Sequence, residues 1–334
     1  MKKEYLHYID VAKGILILLV LFHRLPQVMD NYFIYDIEVL NNIQSKSFLY
    51  VSFFMPAFFV ITGRCSNFSK PFRQFFLGNV KTLLIPAFCL GVFSNWINLA
   101  SIGDHNLINY CKLGFRTFCI YGGPYWFISA LFVAKILYWI VSNFFKNKVV
   151  ITAFLFLCFV FSVFLNYFFQ EFDFWHIPHA LGLLCYLHIG VVLRSYSFKR
   201  CGVFFCIISS IMLAIVVEFF FGGVPYITQN FHVNFIQMPV FLFLATTGSI
   251  ALIGVSALIQ ENRVLEYFGK KSLIFYCLHI SIIRLLCKIF SSFLSTDFHI
   301  CFVFIGIYVL TILLCSLFSY CFSLKYLKWS IGKF

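Results

Sequence analysis

Ten runs of about twenty mostly apolar residues recur along the chain, separated by charged clusters, proline or glycine. A helix that crosses the hydrocarbon core of a bilayer needs about twenty such residues. The runs therefore predict ten transmembrane helices, at about 11–29, 47–63, 83–100, 124–142, 149–169, 177–194, 201–221, 235–259, 272–293 and 299–323.

Composition supports this interpretation. Of the 334 residues, 62% are apolar and 11% are charged, whereas soluble domains are about half apolar and about a quarter charged. These figures exclude a soluble globular protein, a disordered chain, a collagen-like repeat and a coiled coil. No loop between the runs is long enough for a soluble domain. We therefore expect one all-α domain over 1–334, built as a polytopic transmembrane helical bundle.

The basic residues are distributed unevenly between the two sides of the expected bundle. With the N-terminus placed in the cytoplasm, 17 of the 25 Lys and Arg residues fall in inside segments and five within spans, while Lys46, Lys112 and Arg116 fall outside. Cytoplasmic loops of membrane proteins carry an excess of Lys and Arg. We therefore expect both termini in the cytoplasm. The net charge of +13 then reflects topology and not a nucleic-acid partner.

Metal binding is not expected. The 13 cysteines show no paired CxxC spacing, and most lie in apolar runs, where cysteine acts as a small apolar residue. His176, His179 and His188 match no strong metal-binding spacing.

The first span carries the polar residues Asp10, Lys13, His23 and Arg24. An ionisable side chain at membrane depth costs roughly 2.5–3.5 kcal/mol, so each needs a partner or a function. Asp10 precedes Lys13 by three residues, so the two can pair, and His23 lies about 15 Å further along the helix. Imidazole exchanges protons near neutral pH, which makes His23 a candidate base. In the structural alternative, Lys13 reaches the headgroups and His23 bonds a neighbouring helix.

The ninth span carries further polar residues. A hydrogen bond to another helix is the expected role of His279. Arg284 and Lys288 lie four residues apart and repel each other unless an anion or a water-filled cavity lies beside them. Glu218 in the seventh span is the expected partner, and Trp126 is expected in an interfacial aromatic belt.

Five segments with recurring polar, glycine or proline positions are spread from the first span to the ninth. They are Tyr8-Ile-Asp-Val-Ala-Lys-Gly-Ile-Leu-Ile-Leu-Leu-Val20 continuing to His23, Phe53-Phe-Met-Pro-Ala-Phe-Phe-Val-Ile-Thr-Gly63, Lys81-Thr-Leu-Leu-Ile-Pro86, Tyr125-Trp-Phe-Ile-Ser-Ala-Leu-Phe132, and Phe268-Gly-Lys-Lys-Ser-Leu-Ile-Phe-Tyr-Cys-Leu-His279. Together and in this order, they resemble the acyltransferase-3 family of integral membrane acyltransferases, particularly its fucose 4-O-acetylase-like branch.

The resemblance implies transfer of an acyl group, usually acetyl, from a cytoplasmic coenzyme A thioester to a sugar hydroxyl of a cell-envelope or exported glycan. The enzyme would lie in the plasma (inner) membrane. The family's basic residue and histidine on the first helix correspond to Lys13 and His23. The family usually has ten residues between them, whereas nine separate them here, so Arg24 takes the aligned position. Thr62-Gly63 replaces the family's Ser-Gly.

The expected mechanism makes His23 the general base that takes the proton of the sugar hydroxyl, while Asp10 orients Lys13. Basic residues at the cytoplasmic mouth would bind the phosphates of acetyl-CoA; for Lys70 and Arg73, ordinary cytoplasmic charge is the alternative. The substrate-binding candidates are Arg24, Lys70, Arg73, Lys81, Trp126, His279 and Arg284.

Two functions of other classes stay open from the residues alone. One is a carrier or flippase for an anionic lipid-linked sugar, with Arg284, Lys288 and Lys13 as its pathway. The other is a non-catalytic membrane sensor. Transporters often carry internal repeats, and no convincing repeat is present. The expected partners are acyl-CoA, a glycan or lipid-linked sugar acceptor, and membrane lipids.

Overall fold

Long apolar segments form the helices of the structure, a computed structural model that describes residues 7–33, 37–102, 114–115, 117, 120, 125–169, 174–196, 200–228, 231–293 and 300–332. The helices are α1 His7–Met29, α2 Ile37–Ser45, α3 Phe54–Cys65, α4 Phe72–Asn79, α5 Ile85–Ile102, α6 Trp126–Phe144, α7 Lys148–Phe168, α8 Ile177–Val192, α9 Arg200–Phe221, α10 Met238–Ile259, α11 Arg263–Phe293 and α12 Ile300–Phe322. Lys112 and Arg116, and the first residues of the fourth and tenth expected spans, lie outside the described residues.

Nine helical segments within these ranges are long and apolar enough to cross a membrane. The helix α1, which carries Asp10, Lys13 and Arg24, is the tenth long helix and packs against α2, α3, α10, α11 and α12. The prediction of an all-α transmembrane bundle is therefore confirmed. The segment before α5 extends further than predicted, because a π-helical turn, Val80–Leu84, joins α4 to α5.

The helices α1 and α11 run parallel and in direct contact. His7 hydrogen-bonds Glu266 over 3.0 Å, and Arg24, further along α1, interacts electrostatically with His279, further along α11. A Cβ atom at Gly14 would overlap the carbonyl oxygen of Leu265, and one at Gly269 would overlap that of Asp10. Small residues let helix backbones approach closely in membranes. The two helices thus form a tight pair, as parallel first and ninth spans can.

A pair of arginines holds the C-terminal ends of α3 and α8 together. Arg194 donates hydrogen bonds to the carbonyl oxygens of Gly63, over 2.7 Å, and Ser66. Arg64 donates to the carbonyl oxygen of Leu193 and, over 3.0 Å, to the hydroxyl of Tyr8. The last carbonyls of a helix have no intrahelical partner, and a guanidinium group can bond several of them at once. Each arginine therefore supplies hydrogen bonds to carbonyl oxygens at the end of the other helix.

A short hairpin lies between α9 and α10. Its strands, β1 Tyr226–Ile227 and β2 Phe231–His232, pair antiparallel. Ser52 donates a 2.5 Å hydrogen bond to the carbonyl oxygen of Pro225, and the Asn166 amide donates one of 3.2 Å to that of Phe231. Ile227 is completely buried. The hairpin is thus fixed against α7 and the segment before α3.

Candidate functional site

A cavity of about 410 Å³ opens where the N-terminal parts of α1 and α11 face α3 and α6. We call it the Lys13 cavity. It falls in the lower part of the roughly 300–1,000 Å³ range of small-molecule sites. Its lining residues are Asp10, Lys13, Phe58, Thr62, Leu83, Phe127, Leu131, Gly269, Lys270, Ser272, Leu273 and Tyr276. Each of the five segments that carry the family resemblance contributes to this lining. In chain order they contribute Lys13, Thr62, Leu83, Phe127 and Tyr276.

Asp10 and Lys13 form the ion pair that their spacing predicts. The Lys13 ammonium donates to the Asp10 carboxylate over 3.2 Å. Asp10 is buried, while the Lys13 side chain is partly open to the cavity. The carboxylate therefore holds the ammonium group at the cavity wall.

Lys270 is a cavity residue that the sequence did not single out. Its ammonium group donates to Glu266 over 2.8 Å, and Glu266 also bonds His7. Lys270 lies within the fifth segment, directly after Gly269. Gly269 packs on α1, and this brings the segment to the cavity. Membership of this segment was the feature of the sequence that could have identified Lys270.

His23 does not line the Lys13 cavity; its ring faces α2 and the start of α3. The ring centroid lies 5.3 Å from that of Phe54 and 6.3 Å from that of Tyr50. The Gln27 amide lies 3.3 Å from Nε2 and the Gln44 amide lies 3.3 Å from Nδ1. The candidate base is therefore buried and held at both ring nitrogens.

The orientation of the Gln44 amide decides which ring nitrogen of His23 carries the proton. Its oxygen has no hydrogen-bond partner among the described residues. A 180° rotation brings that oxygen to Nδ1, so that Nδ1–H donates to Gln44 and Nε2 accepts from Gln27. Amide orientations are assigned from such networks. This arrangement gives a neutral imidazole whose basic lone pair is on Nε2.

Whereas His23 faces α2 and the start of α3, Arg24 faces α11. It donates a 2.8 Å hydrogen bond to the Gln27 side-chain oxygen and interacts electrostatically with Tyr276 and His279. Burial raises the pKa of the Tyr226 phenol in the hairpin, and the nearby Arg24 cation opposes this rise. Arg24 on α1 is therefore within electrostatic range of side chains on α11 and in the hairpin.

His279 is fully buried on α11. Its Nδ1 lies 2.8 Å from the carbonyl oxygen of Tyr276 and 3.1 Å from that of Phe275, both on its own helix. These hydrogen bonds are thus within α11, so among the described residues His279 does not make the expected hydrogen bond to another helix. Its Nε2 is buried without a hydrogen-bond partner among the described residues, which leaves a second imidazole nitrogen near Arg24.

The other basic candidates lie outside the cavity lining. Lys70, Arg73 and Lys81 are exposed on the segment around α4. Lys81 precedes by two residues Leu83, which does line the cavity. Side chains two residues apart on a helical turn do not share a face, so none of the three is placed in the cavity lining.

The remaining residues singled out in the sequence, Trp126, Arg284, Lys288 and Glu218, do not line the Lys13 cavity. Trp126 is buried, with its ring centroid 5.2 Å from that of His179, so it is not in an exposed aromatic belt. Arg284 and Lys288 are exposed on α11. Within the described parts of the chain, no ion pair joins Glu218 to Arg284, because α9 packs on α10 and not on α11.

No group of three metal-ligating side chains that could hold an ion occurs among the described residues.

Comparison with known proteins identifies a family. Residues 6–320 match the family model described as an acyltransferase domain, which defines the acyltransferase-3 family. Searches of curated proteins and of solved structures gave no match. The family match covers almost the whole chain, including the helices around the Lys13 cavity. The chain is therefore a multi-pass membrane protein that belongs to the acyltransferase-3 family.

Proposed function

We propose that the protein transfers an acyl group, with acetyl as the expected group, from acyl-CoA to a sugar hydroxyl of a cell-envelope or exported glycan at the plasma (inner) membrane. The observation that carries the proposal is the Lys13 cavity, where the Asp10–Lys13 pair meets Tyr276, a neighbour of Arg24. The cavity thus has Tyr276 in its lining, within electrostatic range of the polar residue Arg24.

The cavity suits one part of the donor. With about 410 Å³, it can hold a narrow pantetheine arm but not a whole coenzyme A. The nucleotide end would stay at the mouth, where Lys270 lies. Lysine ammonium groups bind phosphates as point charges. Lys13, further in, would contact the arm or its diphosphate.

The polar network around Arg24 suits the chemistry. The sugar oxygen attacks the thioester carbon while His23 takes its proton at Nε2, displacing the Gln27 amide. The carbon–sulfur bond then breaks, and the leaving thiolate receives the proton from His23. Arg24, which shares Gln27 with His23, would stabilise the negative charge that develops on the thioester oxygen; fixed charges of this kind are effective in water-poor sites.

The proposal is tested with membranes that contain the protein, supplied with radiolabelled acetyl-CoA and purified envelope glycan. We expect label to enter the glycan as an ester, and membranes that contain the His23→Ala variant to transfer none above background. Absence of transfer with acetyl-CoA and longer acyl-CoA donors would overturn the proposal. Movement of unmodified glycan across the bilayer would instead favour the carrier function.

A further inference from the structure

A second cavity, of about 380 Å³, lies beside the hairpin. We call it the hairpin cavity. It is formed by the hairpin, its flanking residues and the C-terminal end of α7. It shares no lining residue with the Lys13 cavity. Its lining residues are Asn166, Tyr167, Gly222, Gly223, Val224, Pro225, Tyr226, Phe231, Val233, Asn234 and Gln237.

The lining is polar but uncharged. It contains the side-chain amides of Asn166, Asn234 and Gln237 and the aromatic rings of Tyr167 and Phe231. Amide groups both donate and accept hydrogen bonds, as sugar hydroxyl groups do, and aromatic rings offer flat apolar faces. This combination suits a neutral sugar. An anionic group would lose its hydration without gaining a cation from the lining.

Two of the lining residues have groups available to a ligand. The Gln237 side-chain amide makes no hydrogen bond within the described part of the chain, although its backbone nitrogen bonds the Asn234 side chain over 2.9 Å. The Tyr167 ring is 59% exposed. Asn166, by contrast, already donates to the Phe231 carbonyl oxygen. Gln237 and Tyr167 therefore provide the direct tests.

The hairpin cavity lies near the polar centre of the bundle. Tyr226 lines the cavity and interacts electrostatically with Arg24 on α1. The cavity thus lies on the same side of the bundle as Arg24, which shares Gln27 with His23. Tyr276, which lines the Lys13 cavity, also interacts electrostatically with Arg24.

We infer that the hairpin cavity binds an uncharged sugar unit of the acceptor, with Gln237 bonding its hydroxyl groups and Tyr167 contacting its ring. This inference rests on the proposed function, because it assigns the acceptor to the cavity opposite the donor. It also specifies a neutral sugar unit and excludes an anionic one.

The test uses the full chain in lipid nanodiscs free of glycoside detergents, which would compete for a sugar site. Saturation-transfer NMR with neutral methyl glycosides, and with a methyl glucuronide, reports binding without chemistry. Acyl transfer from acetyl-CoA to the same glycosides reports KM for each substrate. The variants are Gln237→Ala and Tyr167→Ala. The matched control is Ile236→Ala, whose side chain neighbours Gln237 but is 83% exposed and outside the lining.

We expect saturation transfer from at least one neutral glycoside and none from the glucuronide. Each variant should raise KM for the sugar by about tenfold, the effect of one lost hydrogen bond or ring contact. KM for acetyl-CoA should be unchanged, and Ile236→Ala should match the parent protein. Acyl transfer with an unchanged sugar KM in both variants, or a preference for the glucuronide, would overturn the inference alone. Gln237-dependent binding without acyl transfer would instead overturn the proposed function.

Discussion

Gly269 of α11 lies directly against the backbone carbonyl of Asp10 on α1, and no side-chain atom fits between them. Asp10 is the residue that bonds the Lys13 ammonium group. The close approach of the two helices therefore places this ion pair at the cavity wall. Backbone packing and the candidate donor site depend on the same glycine.

We expect Gly269→Ala to destabilise the protein by about 1–3 kcal/mol, the usual cost of forcing extra atoms into a packed core. Because the overlap is with backbone, relief requires the helices to separate. Thermal unfolding in detergent, followed by tryptophan fluorescence, measures the change. Gly306→Ala on α12 is the matched control, since no atom lies within 4 Å of the added methyl group. Equal unfolding temperatures for both variants would contradict the tight α1–α11 contact.

Much of the fold follows from local sequence. Apolar runs of sufficient length predict the helices, and a separation of three residues predicts the Asp10–Lys13 pair. The parallel pairing of α1 with α11 joins residues more than 250 positions apart, as His7 and Glu266 show. It depends on glycine contacts that only the assembled bundle reveals.

The candidate site was less predictable for the same reason. On an apolar first helix, nothing local shows that His23 faces Gln44 while Arg24 faces α11. Tryptophan is common at membrane interfaces, but Trp126 is buried by packing against His179. The hairpin has two-residue strands, too short for any alternation of polar and apolar residues to be detected.

The assignment of the base to His23 predicts that His23→Ala lowers kcat by about 10²–10⁴-fold, the usual contribution of a general base. His279→Ala is the matched comparison, because His279 is equally buried and has an unbonded Nε2 among the described residues. It should lower kcat less. Single-turnover acyl transfer with both variants makes the measurement. A larger loss in His279→Ala would move the base from α1 to α11.

Arg24 should act on the transition state and not on donor binding. Arg24→Gln keeps a polar side chain but removes the charge next to Gln27, Tyr276 and His279. We expect kcat to fall by about 10²–10³-fold, as when a stabilising donor of an oxyanion is removed, with KM for acetyl-CoA within about twofold. Steady-state kinetics separates the two constants. A raised KM with unchanged kcat would show that Arg24 binds substrate only.

Lys13 should act on donor binding. Lys13→Met keeps the length of the side chain and removes the ammonium group that Asp10 holds at the cavity wall. Hydrogen bonds to charged groups contribute about 1.5–3 kcal/mol, so KM for acetyl-CoA should rise by about 10–100-fold. Lys328→Met, an exposed lysine near the C-terminus, controls for the loss of one basic residue. Isothermal titration with desulfo-coenzyme A makes the measurement independent of turnover. Equal affinity in the two variants would exclude Lys13 from the donor site.

The two arginines between α3 and α8 separate stability from catalysis. Arg194→Lys keeps the charge, but an ammonium group cannot reproduce the fork that bonds Gly63 and Ser66. We expect a loss of about 1–3 kcal/mol in stability, the cost of leaving polar groups without partners. Activity per folded molecule should be unchanged, because Arg194 lines neither cavity. Thermal unfolding and acyl-transfer assays on the same preparation measure both quantities. The exposed Arg200, exchanged for Lys in parallel, should show no effect. If Arg194→Lys is as stable as the parent protein, the charge alone stabilises the α3–α8 contact and the forked geometry does not.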